Sequence, residues 1–114
     1  MFDFQELEVY KRAKAFHSEI REVIQNTPLH HTEKDQLYRA SFSVALNIAE
    51  GSGRFSERDR KNFFIIARSS VFECVAILDI LKDGETIPES TYTDFEAKAD
   101  ELSRMLFGLI RKLG

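Results

Sequence analysis

Four polar side chains set into apolar stretches are the residues of this sequence best suited to chemistry or binding. One of them, Glu50, is predicted to end a helix, where the helix dipole disfavours a carboxylate by about 0.3–1 kcal/mol. It therefore needs a cationic partner, and Arg54 or Arg68 could supply it. We expect either a buried polar clamp at this corner or a pocket there for a ligand or RNA. The polar corner consists of Asn47, Glu50, Arg68 and Glu73.

A basic segment follows the corner. Residues 54–68 carry five cations and two carboxylates, a net charge of +3, whereas the whole chain has a net charge of -3. The acidic balance argues against tight binding of nucleic acid by one chain alone. Such a run is usually a solvated helix face, but repeated around an oligomer it would form a field able to hold phosphates. The candidate phosphate contacts are Arg54, Arg58, Arg60 and Lys61.

The turn at residues 51–54, Gly51-Ser52-Gly53-Arg54, offers a different function. Backbone N–H groups and an arginine beside a helix end can hold an anion, so the alternative is a small-molecule or anion-binding helical bundle. A flexible connection, with Gly51 as the cap of the preceding helix, explains the same residues without a ligand.

The sequence carries no pattern typical of an enzyme or a metal site. No glutamate lies three residues before His17, His30 or His31, so the Glu-x-x-His motif of di-iron bundles is absent. Cys74 is the single cysteine, which excludes a disulfide framework and a cysteine-rich zinc site. Its apolar neighbours predict a buried structural thiol. We expect no catalysis, no metal and no cofactor.

Length and composition predict one domain covering residues 1–114. The chain has 43% hydrophobic and 31% charged residues, a balance typical of globular proteins. No apolar run is long enough to span a bilayer, and the acidic first ten residues do not resemble a signal peptide. We therefore expect a cytoplasmic protein with no membrane partner.

Breaker residues near positions 26–28, 51–53 and 83–88 divide the chain into segments with helical spacing of apolar residues. Thr32 and Ser56 each precede an aspartate by three residues, which predicts helix N-caps. Helices joined by such short turns predict an all-α, antiparallel up-down-up-down four-helix bundle. The predicted helices are about 4–26, 33–50, 57–81 and 90–113.

The third predicted helix is apolar on nearly every side. A helix of this kind must be buried nearly all round, yet each helix of a four-helix monomer keeps an outer face. The second predicted helix is also apolar on more than one side in its latter half. Large apolar patches are seldom left in contact with water, so the sequence predicts a homo-oligomer.

Three blocks of the sequence resemble one known family. Asn47-Ile48-Ala49-Glu50-Gly51, then Arg54 and Phe63-Phe64-x-x-Ala67-Arg68-x-Ser70-x-x-Glu73, resembles the signature of four-helix-bundle proteins encoded in intervening sequences of bacterial 23S rRNA genes. The opening, Phe4-x-x-Leu7-x-Val9-Tyr10-x-x-Ala13, and the lead-in, Arg39-Ala40-Ser41-x-Ser43, are similar as well. The chain departs from the family at Ser69, where Gly is common, and at Tyr10, where Trp is common.

This resemblance implies a left-handed bundle that assembles as a ring-like homopentamer and has no established catalytic activity. A related branch serves as the accessory protein of diversity-generating retroelements, where the pentamer contacts a reverse transcriptase and nucleic acid. Together with the basic segment, the resemblance favours a non-enzymatic interaction module acting on structured RNA or on a nucleic-acid enzyme.

Overall fold

A computed structural model describes residues 1–114, and every regular element in it is helical. The all-α prediction and the number of long helices are confirmed. None of these helices is both long enough and apolar enough to cross a membrane. The elements are a short 3-10 helix at Asp3–Glu6 followed by α1 (Glu8–Asn26), α2 (His31–Ser52), α3 (Glu57–Asp83) and α4 (Glu89–Lys112).

The beginning of the first helix differs from the prediction. Leu7 is extended, with φ -68° and ψ 129°, so it separates the 3-10 helix from α1. Phe4 packs edge-on against Tyr10 with ring centroids 4.9 Å apart, which holds the short first turn against α1. The end of α1 at Asn26 is as predicted, because Thr27 precedes a proline and takes the extended conformation that proline favours there.

The two predicted N-caps have different outcomes. The Ser56 cap is confirmed, since its hydroxyl accepts a hydrogen bond from the Asp59 N–H at 3.1 Å. The Thr32 cap is wrong because α2 begins earlier, at His31. There the Glu33 carboxylate reaches back and accepts the His30 N–H at 2.8 Å, which satisfies a free donor at the helix start.

Gly51 lies inside α2 and is not its cap, so that interpretation of the glycine is wrong. The helix continues to Ser52, and Gly51 is buried against α3. A Cβ atom at position 51 would lie 2.8 Å from Cε1 of Phe64 and 3.0 Å from Cβ of Phe63. The missing side chain therefore allows α2 and α3 to approach closely.

One continuous apolar core draws on all four long helices and on two of the connections, through Leu29 and Ile87. Phe16 of α1 and Phe95 of α4 meet edge to face, with ring centroids 5.8 Å apart. Cys74 is fully buried in this core, as predicted. Burial, reinforced by the neighbouring Glu73 carboxylate, raises the pKa of the Cys74 thiol to about 12, which keeps it protonated and unreactive at neutral pH.

Gly51→Ala is expected to lower the free energy of unfolding by about 1–3 kcal/mol, because the added methyl group would overlap the Phe64 ring. The matched control is Gly108→Ala within α4, where a Cβ atom meets nothing within 4 Å. The free energy of unfolding of that variant should rise by about 0.5–1 kcal/mol, because Ala has a higher helix propensity than Gly. Urea unfolding at one protein concentration measures both changes. A stabilised Gly51→Ala protein would contradict the close approach.

Candidate functional site

The structure does not bring the polar corner together as a buried clamp. Glu50 pairs with Arg54, its oxygen 3.1 Å from the guanidinium nitrogen, and both side chains are about half exposed to solvent. Arg68 turns the other way, toward α4, where its Nε donates to the carbonyl oxygen of Ser103 at 3.3 Å. The predicted buried clamp is wrong because Glu50 pairs at the surface with Arg54, the other predicted partner, and Arg68 binds to α4.

Arg68 is held over aromatic rings as well as by a hydrogen bond. Its guanidinium carbon lies 4.8 Å from the ring centroid of Phe72 and 5.6 Å from that of Phe107. Cation–π contacts of this kind contribute about 0.5–1 kcal/mol at exposed sites. Arg68 therefore connects α3 to α4 and does not serve as the partner of Glu50.

The other two corner residues line one groove between α2 and α3. The Asn47 amide donates to the Ser43 carbonyl oxygen at 2.8 Å and is 2.9 Å from the Ser43 hydroxyl, which in turn lies 2.9 Å from the Ser70 hydroxyl. This chain of hydrogen bonds joins the two helices. The α2–α3 groove has a volume of about 560 Å³, and its polar lining is Gln36, Arg39, Ser43, Asn47, Ser70 and Glu73.

Sequence reasoning did not select Arg39, Ser43 or Ser70 as site residues. The signal that could have found the first two is their spacing, since Arg39, Ser43 and Asn47 are four residues apart and share one helix face. Ser70 could not be found in this way because its place depends on how α3 packs against α2.

The four candidate phosphate contacts surround the start of α3. Arg54 carries the ion pair with Glu50, Arg60 donates from Nε to the Arg54 carbonyl oxygen at 2.7 Å, and Lys61 donates to the Gly114 carbonyl oxygen at 3.0 Å. Arg58 is exposed and has no ion pair or side-chain hydrogen bond. All these contacts lie at the protein surface, so the cations remain accessible to a phosphate.

The backbone of the 51–54 turn is already occupied. The Gly53 N–H donates to the carbonyl oxygens of Ala49 and Glu50, at 3.3 and 3.1 Å, and the Arg54 N–H donates to that of Gly51 at 3.2 Å. These amides continue the hydrogen bonding of α2 and are not turned toward a ligand. The geometry of the turn does not favour the anion-binding alternative.

The histidines do not form a ligand set, and no group of three or more His, Cys, Asp or Glu side chains could hold a metal ion. His17 is half-buried with Nδ1 2.7 Å from the Ser41 hydroxyl, while that hydroxyl donates to the Tyr38 carbonyl oxygen at 3.1 Å. Burial, with a smaller contribution from the charge of Arg21, lowers the pKa of His17. His17 thus supports the contact between α1 and α2 in its neutral form. His30 and His31, predicted to lie in a loop, stand at the start of α2.

Comparisons with known proteins agree with this fold. A family model described as 23S rRNA-intervening sequence protein matches residues 5–108. A solved structure of a protein of unknown function from the S23 ribosomal protein family of Bacteroides thetaiotaomicron is similar, with a TM-score of 0.85 and 23% sequence identity over 90% of this chain and 97% of that chain. At this identity the likeness concerns the fold. No curated protein matches the chain.

Glu50→Ala is expected to lower the free energy of unfolding by less than about 0.5 kcal/mol, the size of an exposed pair four residues apart on a helix. A buried clamp would instead predict a loss of about 2 kcal/mol or more. Arg68→Ala is the comparison, and it should cost about 1–2 kcal/mol because it removes a hydrogen bond and two ring contacts. Urea unfolding measures both changes. A larger loss of unfolding free energy for Glu50→Ala than for Arg68→Ala would contradict the exposed pair and support a buried clamp.

Proposed function

Because the chain belongs to the 23S rRNA-intervening sequence protein family, we propose that it is a non-enzymatic, homo-oligomeric helical module that binds structured RNA through the start of α3. The proposed assembly is the homopentamer that the family resemblance implies, acting in the cytoplasm. The observation that carries the proposal is the group of accessible cations at one end of the molecule, with Arg58 entirely free of an internal partner.

The proposal takes the helices to run up-down-up-down, and contacts between helices support this path. Going from Ser43 to Gly51 along α2, the α3 partners move backward from Ser70 to the ring of Phe64. Between α1 and α4, the ion pairs of Arg12 with Glu101 and Glu19 with Lys98 follow the same opposed order. This arrangement places the end of α2, the start of α3 and the end of α4 near one another.

Self-association is supported by the large apolar side chains that α2 and α3 leave in contact with solvent. Phe42 is 43% exposed, and Leu46 and Ile66 are each 47% exposed. A patch of this kind usually marks an interface. We call this surface the outer α2–α3 face; its exposed apolar residues are Phe42, Leu46, Ile66 and Ile80.

RNA binding by the module depends on self-association. One chain has a net charge of -3, so its overall field repels phosphates, and only the local basic segment attracts them. An oligomer presents several copies of that segment to one RNA, and the linked contacts raise the effective affinity without any new contact per copy. The reverse transcriptase that the family resemblance also implies is the second candidate partner.

Self-association is tested by placing a carboxylate on the outer α2–α3 face. Wild-type protein should sediment as an oligomer at micromolar concentration, whereas Leu46→Glu and Ile66→Glu should shift it toward monomer because a charge in an apolar interface is costly. Ala15→Glu, on an exposed position of α1, is the matched control and should sediment like wild type. Circular dichroism checks that each variant is folded. A wild-type monomer at every concentration would refute the assembly.

RNA binding is tested by titrating a labelled RNA hairpin at several salt concentrations. Removing four phosphate contacts should weaken binding at low salt at least about tenfold. The slope of the logarithm of the binding constant against the logarithm of the salt concentration should fall in magnitude by about one per contact. A control variant with the same loss of charge elsewhere should change binding less. The test variant replaces Arg54, Arg58, Arg60 and Lys61 with Ala, and the control replaces Lys11, Lys14, Arg21 and Lys34.

A spectroscopic signal can locate the contact. Phe55 is fully exposed in the basic segment, and the chain has no tryptophan. Phe55→Trp therefore introduces a single indole at the proposed site, and its emission should change as RNA is added. No binding at low salt, or binding that the four substitutions leave unchanged, would refute the proposed function.

A further inference from the structure

The α2–α3 groove contains two opposite charges that the chain does not use. Arg39 and Glu73 line this groove, both are exposed, and neither has an ion pair or a side-chain hydrogen bond within the chain. They stand on different helices, Arg39 in the first half of α2 and Glu73 in the middle of α3. Each is therefore available to a group outside its own chain.

Charges on the opposite side of the molecule behave differently. Lys98 of α4 pairs with Glu19 of α1 at 2.7 Å and with Asp94 at 3.0 Å. Arg12 of α1 pairs with Glu8 and with Glu101 of α4. Ion pairs therefore cross between α1 and α4, whereas no ion pair crosses between α2 and α3.

The unused charges lie among apolar side chains that favour burial. Phe42 and Leu46 also line the groove, and both are close to half exposed. Contact with a partner would remove this apolar surface from water, and Arg39 and Glu73 would lose water with it. A charge that loses its water without gaining an opposite charge is strongly unfavourable, so groups outside the chain must supply a carboxylate to Arg39 and a cation to Glu73.

The serine and asparagine side chains at the bottom of the groove do not meet that need. The Asn47 amide and the hydroxyls of Ser43 and Ser70 are hydrogen-bonded to one another and to backbone. This internal chain can be covered without loss of its hydrogen bonds, but it offers neither charge a counterion. The complement must come from outside, and an identical chain carries both required groups on the same surface.

We propose that a second copy of this chain docks on the α2–α3 groove and that Arg39 of one copy pairs with Glu73 of its neighbour. The inference rests on the proposed self-association and adds the surface, the paired residues and the reason for a defined register. Apolar contacts drive the association, and the ion pair selects one alignment of the two copies, because any other alignment leaves buried charges unpaired. Around a ring, Arg39 of each copy would meet Glu73 of the next copy, and its own Glu73 would meet Arg39 of the copy before it, so every neighbouring pair forms the same contact.

The experiment reverses each charge separately and then together. Arg39→Glu places two carboxylates at each interface and Glu73→Arg places two cations, so each single variant should raise the dissociation constant of the assembly at least about tenfold. The double variant, Arg39→Glu with Glu73→Arg, restores opposite charges and should assemble like wild type. Sedimentation velocity over a range of protein concentrations gives these constants.

Mixing the two single variants decides whether the pair lies between chains. The carboxylate introduced at position 39 of one variant would face the guanidinium introduced at position 73 of the other. The unchanged Arg39 of the second variant would face the unchanged Glu73 of the first, so both contacts between unlike chains become favourable. Native mass spectrometry of the mixture should therefore show assemblies that contain both variants. A pair formed within one chain would be restored by the double variant but not by mixing.

The matched control reverses charges on α1. Arg21→Glu and Glu22→Arg, at exposed positions with no ion pair, should leave assembly unchanged alone and in a mixture. Assembly that persists in both groove variants, or that the double variant restores while mixing does not, would overturn this inference and leave the proposed oligomer standing. Loss of RNA binding by Arg39→Glu with assembly intact would also overturn it and assign the groove to RNA. Wild-type protein that never assembles would overturn both proposals.

Discussion

The close approach of α2 and α3 at Gly51 is the constraint on which the rest of the molecule depends. With no side chain at position 51, the ring of Phe64 and the Cβ atom of Phe63 lie within 3.0 Å of where a methyl group would stand. The two helices are then near enough for the hydroxyls of Ser43 and Ser70 to meet farther along the pair, at 2.9 Å. The hydroxyls of Ser43 and Ser70, together with the Asn47 amide, form the polar part of the α2–α3 groove.

The same packing divides the surface into two unlike sides. Ion pairs cross between α1 and α4, where Arg12 meets Glu101 and Lys98 meets Glu19. On the α2–α3 side, large apolar side chains and two unpaired charges face water. Apolar surface left exposed on a folded chain usually marks an interface, and this surface is the basis of the proposed self-association.

The basic segment owes its position to the same helix pair. The connection between α2 and α3 is short, from Ser52 to Glu57, so the cations at the start of α3 must lie beside the end of α2. Arg54 is restrained by Glu50 and Arg60 by a carbonyl oxygen, which leaves Arg58 the freest of the group. Because the whole chain is acidic, these cations attract phosphates only locally. In an oligomer, several copies of the segment would together produce a positive electrostatic potential.

Local patterns in the sequence were enough to predict the helices, because apolar periodicity, a capping hydroxyl and a proline act on the few residues around them. The Ser56 cap, the end of α1 at Asn26 and the burial of Cys74 all followed from neighbours in the chain. The partners of polar side chains were decided only by tertiary structure. Arg68 bonds to a carbonyl oxygen 35 residues away, and Asn47 lies with Glu73 in a groove apart from Glu50. Which side chains meet depends on the rotation and spacing of one helix against another, and no spacing within a single helix specifies either.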